Sequence, residues 1–154
     1  MQRLNIGLAA AVAVAGLAVL PAGALAAQPA LDFNGSLSGT HQAGINTGTY
    51  TASGAVSGSF AVSESFSFGG GKSAPLHTVD TLTPLTGSDG TITIDQQLKY
   101  IGSSGSCSYF SGVWMITGGT GAYASVHGTG DAAGTVCPSG DSYTVAVSLI
   151  GAGG

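Results

Sequence analysis

Residues 59–68, SFAVSESFSF, alternate apolar and small side chains almost without a break. Phe60, Val62, Phe66 and Phe68 share one parity; Ser59, Ala61, Ser63, Ser65 and Ser67 share the other. A helix turns every 3.6 residues and would scatter this pattern around its surface. A strand, whose successive side chains point to opposite faces, keeps it on one side. The pattern returns at 91–101, TITIDQQLKYI, with Ile92, Ile94, Leu98 and Tyr100 on the apolar face. It returns again where Tyr143, Val145, Val147 and Leu149 alternate with Thr144, Ala146 and Ser148. Further strands are expected at 48–57, 77–82, 108–117, 123–129 and 134–137. Helical periodicity is nearly absent after residue 26.

Strong turn formers separate these runs: Gly69-Gly70-Gly71-Lys72, Gly87-Ser88-Asp89-Gly90, Gly102-Ser103-Ser104-Gly105 and Pro138-Ser139-Gly140-Asp141. About eight short strands at this spacing imply an antiparallel barrel or sandwich, and closure into a barrel removes exposed sheet edges.

The first 26 residues belong to a different class. Arg3 precedes an apolar run from Ile6 to Leu20, Pro21 ends it, and Ala24-Leu25-Ala26 follows. This is the layout of a secretory signal peptide, and the run is short for a membrane span. Cleavage after Ala26 would leave one domain, 27–154, and an exported location, in the medium or at the cell envelope. That domain has Lys72 and Lys99 against seven carboxylates, a formal charge of −5. Nucleic acid and anionic membranes both require clustered Lys and Arg, so neither is expected as a partner. In an exported chain, Cys107 and Cys137 are expected to form a disulfide. No metal-ligand spacing is present.

ITGGTGAYA, residues 116–124, fits the glycine pattern of a dinucleotide loop at Gly119, Gly121 and Ala124. Such a loop needs a following helix, whose N-terminal amides receive the pyrophosphate. SVHGTGDAAGTV follows instead, and each glycine would cost a helix about 1 kcal/mol. The nucleotide reading therefore fails, and no cofactor is implied. Gly118, Gly119, Thr120 and Gly121 are expected to form a hairpin turn between two strands.

Seen as strand, glycine turn and strand, residues 112–130 (GVWMITGGTGAYASVHGTG) resemble the signature hairpin of the allene-oxide-cyclase-like barrels. That group also contains the dirigent proteins and bacterial secreted members. The likeness rests on Gly118-Gly119-Thr120-Gly121, Tyr123 and Gly128. It implies an all-β fold, an eight-stranded antiparallel up-and-down barrel with a central cavity, assembled as a dimer or trimer. No acidic catalytic cluster of the family can be matched here, so no catalytic residue is carried over.

Glu64 stands out within its own strand. It has the parity of Phe60, Val62, Phe66 and Phe68, so a regular strand points it inward. A buried carboxyl in a cavity can serve as acid, base or hydrogen-bond anchor. The plainer expectation is a bulge or strand end that leaves it in water. Gln96 has the same ambiguity among Ile92, Ile94, Leu98 and Tyr100. If both point inward, they make a polar spot in an apolar cavity, with Phe60 and Phe66 as ligand-contacting walls. His41, His77 and His127 are expected on the surface, and Tyr109, Phe110 and Trp114 in the core or barrel wall. No G-x-S-x-G elbow supports a serine nucleophile. Three functions stay open. One is a barrel binding a small apolar or phenolic molecule. Another is a cyclase or isomerase using Glu64, and the third is a structural envelope protein.

Overall fold

The computed structural model describes residues 27–40, 44–68, 75–87 and 89–154. Residues 1–26, expected to be a signal peptide, His41 and the glycine run at 69–72 lie outside them. Eight strands follow in order: β1 (Ala30–Thr40), β2 (Ile45–Gly54), β3 (Gly58–Phe68), β4 (Leu76–Pro84), β5 (Ile92–Ser104), β6 (Cys107–Gly119), β7 (Gly128–Ser139) and β8 (Ser142–Gly153). Each pairs antiparallel with its sequence neighbours, and β8 returns to β1, closing an up-and-down barrel. The closing ladder runs from Ala30↔Ala152 to Thr40↔Ser142. Closure leaves no row of unpaired backbone groups. No helix among the described residues is long and apolar enough to cross a membrane.

The expected number of strands is right through two compensating errors. β1 is not among the expected strands, because glycine occupies two of its inward positions. Leu31, Phe33 and Leu37 point into the barrel, but Gly35 and Gly39 interrupt the apolar parity. At Gly35 the glycine is required: a Cβ there would lie 2.0 Å from the Thr49 carbonyl oxygen. Conversely, the run expected at 134–137 and the last two residues of the run expected at 123–129 belong to one strand, β7, while 123–127 precede it. Its inward residues include Ala132 and Gly134, too small to show a pattern.

The hairpin expected at Gly118–Gly121 is also corrected. Gly118 and Gly119 end β6, and residues 120–127 form a longer connection containing one 3-10 turn, Gly121–Tyr123. The chain folds back so tightly that a Cβ on Gly119 would sit 1.9 Å from the Tyr123 carbonyl oxygen. This brings the Tyr123 ring edge-on to Phe60, at 5.7 Å between centroids. Tyr123 and Val126 pack on the core instead of extending a strand. The connection is latched to the β4–β5 loop by Thr120 N–H to Thr91 O and Ala122 N–H to Asp89 O, both 2.9 Å.

The barrel has two unlike halves. Around the 3-10 turn it is solid with Leu31, Phe33, Phe60, Leu82, Ile92 and Trp114. Trp114 meets Phe33 edge-on at 5.8 Å, in space that a Cβ on Gly151 would invade. The opposite half, at the β5–β6 and β7–β8 turns, is hollow. Trp114 and Phe110 face inward as expected, but Tyr109 faces outward and is exposed, since it has the opposite parity on β6. Tyr100, expected on the apolar face, is also exposed; it lies beyond the packed region, beside a register shift between Tyr100 and Gly102.

Cys107 and Cys137 form the expected disulfide, joining β6 to β7 at the hollow end. The cross-link spans 30 residues of sequence. Replacing both cysteines with serine should lower unfolding stability by about 3 kcal/mol, from lost restriction of the unfolded chain. Urea titration followed by circular dichroism measures this.

Candidate functional site

The hollow half encloses a cavity of about 420 Å³, open at the end where β3, β5 and β7 terminate. Its walls are apolar: Phe66, Leu98, Phe110, Val136, Val145 and Val147 line it. Gly134 also faces it, leaving room that any side chain would take. Phe68 lies on the same lining and is exposed at the mouth.

The floor is polar. Glu64 does point inward and is 4% exposed, which corrects the expectation of a bulge or strand end. β3 runs in regular register past it, pairing Glu64 with Asn46 on β2 and with Asp80 on β4. Gln96 is likewise buried, at 1% exposure, and both residues line the cavity. Phe66 lines it too, whereas Phe60 belongs to the solid half below and does not.

Sequence reasoning missed the residues that complete this floor. Asp80 is fully buried. It shares parity with Leu76, Thr78 and Leu82, so the test that singled out Glu64 would have found it. Asn46 and Tyr50 share the inward face of β2 in the same way. Together they form a network across five strands. Tyr143 OH donates to Asn46 Oδ1 at 2.7 Å, and Asn46 Nδ2 donates to Glu64 Oε1. Tyr50 OH and Gln96 Nε2 both donate to Asp80 Oδ2, at 2.9 and 2.6 Å. A Cβ on Gly39 would lie 2.0 Å from Asn46 Oδ1, so glycine there makes room for the Asn46–Tyr143 link. Two buried oxygens of the floor, Thr78 Oγ1 and Asp80 Oδ1, accept or donate no hydrogen bond.

This arrangement favours the protonated form of its carboxyls. Burial pushes both carboxyl pKa values up, Asp80 well above its ordinary range, and the Glu64 charge pushes Asp80 further. Two adjacent carboxylates in a dry site cannot both ionise cheaply, so they tend to share a proton. Burial likewise raises the Tyr50 and Tyr143 phenols, with the neighbouring carboxylates reinforcing the shift. Among the described residues, no lysine, arginine or histidine is part of the network. Lys99 is exposed, and His77, partly exposed on β4, pairs with Asp95 at 2.7 Å on the outer face. His127 lies exposed in the connection before β7.

Comparison with protein-family models, curated proteins and solved structures gives no match.

A carboxyl whose folded pKa is raised binds a proton more tightly in the native state than in the unfolded chain. Its stabilising effect is complete below the ordinary values, 3.8 for Asp and 4.5 for Glu. It is lost as pH rises through the folded values. The melting temperature should therefore fall from mildly acidic to neutral pH. Asp80→Asn, which mimics the protonated acid and keeps an acceptor for Tyr50 and Gln96, should flatten that slope. It should also stabilise the protein at neutral pH by about 1–3 kcal/mol. Thermal melts across pH 4.5–8.5 check both outcomes.

Proposed function

We propose that this chain is an exported carrier that holds a small apolar or phenolic molecule in its half-hollow barrel without transforming it. One observation carries the reading: the cavity has apolar walls and a single buried polar floor. That is the usual composition of small-molecule sites, where apolar lining supplies affinity and a few polar groups set orientation. The volume of about 420 Å³ lies within the range of such pockets. Export by residues 1–26 is part of the proposal. The Cys107–Cys137 disulfide supports it, because such bonds persist in oxidising compartments. Kinship with the allene-oxide-cyclase-like barrels is proposed on residues 112–130 alone, and a dimer or trimer only as that kinship implies.

A second reading, a cyclase or isomerase using Glu64, is favoured by one feature. Glu64 is a buried carboxyl with a raised pKa at the floor of the cavity. A carboxyl whose pKa is raised by burial is better placed to act as a general acid. This reading requires turnover of an epoxide or enone that disappears in Glu64→Gln.

The carrier reading is tested with a neutral fluorescent probe, N-phenyl-1-naphthylamine. Its emission should rise on mixing with the protein, with a Kd on the order of micromolar. Gly134→Leu places a side chain in the cavity, where a Cβ meets nothing closer than 3.9 Å. It should abolish the signal while leaving the far-UV spectrum unchanged. No emission change with the unmodified protein, together with no binding of simple eight-carbon amphiphiles, would refute the carrier reading.

A further inference from the structure

We propose that the cavity selects amphiphiles with a protonated amine at one end of a hydrocarbon body, seated amine-down on Glu64 and Thr78. This rests on the carrier reading and states which chemistry the cup prefers.

The first ground is the donor–acceptor balance of the floor. Four donor groups converge on it, from Tyr143, Asn46, Tyr50 and Gln96, and each points a hydrogen at Asn46 or a carboxylate oxygen, the two amides with one N–H apiece. Acceptor capacity is left over. A carboxylate has two oxygens and about four lone-pair sites, and Asn46 occupies one of those on Glu64. Thr78 is 2% exposed and lines the cavity; its Oγ1 makes no hydrogen bond of normal geometry, although it lies close enough to Glu64 to lower that carboxyl's pKa. A ligand head group that brings donors can fill these free acceptor sites. An ammonium brings three and no acceptor.

The second ground is charge. Titratable groups face Glu64 from three directions: Asp80 on β4, Tyr50 on β2 and Tyr143 on β8. All are neutral or negative. Among the described residues no cationic side chain belongs to the floor network, and buried charge is ordinarily paired. An ammonium would supply the missing counter-charge and allow Glu64 to ionise with a partner. A ligand carboxylate would add a third acid to the site and be repelled. A neutral hydroxyl would gain a hydrogen bond but no charge pairing.

The third ground is the wall above. Phe66, Leu98, Phe110, Val145 and Val147 offer a hydrocarbon body only apolar contact. Phe68 extends that surface to the mouth, and Tyr100 stacks edge-on against Phe110 at 5.9 Å. A polar group at the floor and an apolar path to the rim describe an amphiphile with its head inward.

Calorimetric titration of the protein with n-octylammonium, 1-octanol and octanoate at pH 7 separates these chemistries. Octylammonium should bind more tightly than octanoate by about thirty-fold or more, with octanol between them. Glu64→Gln should cost octylammonium about ten-fold and leave octanol within about three-fold. Thr78→Val, which removes only the hydroxyl, should weaken octylammonium about three-fold. Octanoate binding as tightly as octylammonium, or unchanged octylammonium affinity in Glu64→Gln, overturns the proposal. If all three probes bind alike and Gly134→Leu eliminates them together, the carrier reading stands and amine selection falls. If neither these probes nor the naphthylamine dye binds, the carrier reading itself falls.

Discussion

An eight-stranded barrel encloses a space just wide enough for its own side chains. Whether it is solid or hollow at a given level therefore depends on residue size at the inward positions. Closure of β8 onto β1 imposes that condition on this chain. On the solid side the inward set includes Trp114, Phe33 and Phe60, with glycines conceding space around the indole. On the hollow side it includes Gly134, Val136, Val145 and Val147. These smaller side chains cannot meet across the lumen. The cavity thus follows mainly from composition at a few positions; the departures from regular pairing are confined to the β5–β6 ladder.

The polar network sits at the boundary between the two halves, and its position is set by register. Glu64 lies directly opposite Asp80 across the β3–β4 pair, and Asn46 directly opposite Glu64 across β2–β3. A slip of one residue on β3 would turn Glu64 outward and bring its serines into the lumen. Burying two acids is costly, and apolar residues of similar volume would often serve stability better. The network is instead aimed so that phenol and amide donors converge on the carboxylates. Its remaining capacity faces the cavity. That asymmetry suits a site that completes its hydrogen bonding with something from outside.

Much of this was legible. Alternation of Phe60, Val62, Phe66 and Phe68 identifies β3 and makes Glu64 conspicuous. The two errors of segmentation share one cause: parity is visible only where inward residues are large. Glycine at 35 and 39 hides β1, and small residues at 132 and 134 obscure the extent of β7. Asp80 illustrates a different limit. Its parity with Leu76 and Leu82 was readable, but LHTVDTLT carries polar residues on both faces. Nothing in one strand says that a carboxyl on the next will stand opposite. Pairing is a property of two strands, and the Glu64–Asp80 contact became visible only with the register. The 3-10 turn was hidden because GGTG suits a tight hairpin locally, whereas plugging the barrel with Tyr123 requires a longer path.

The two ends of the barrel are held together by different means. At the solid end, packed aromatics and the latch between residues 89–91 and 120–122 suffice. The hollow end forgoes that packing. There two of the connections, β5–β6 and β7–β8, are two-residue turns at Gly105-Ser106 and Gly140-Asp141, whose glycines adopt φ values of +59° and +62°. The disulfide ties β6 to β7 at the same end. Without such ties, apolar walls facing a void would gain by collapsing inward, since buried space without contacts is unfavourable. Holding them apart keeps the cup formed before anything enters. A ligand then loses less affinity to reorganising the protein. On this view the cross-link and the tight turns stabilise an empty volume, as packing stabilises the other half.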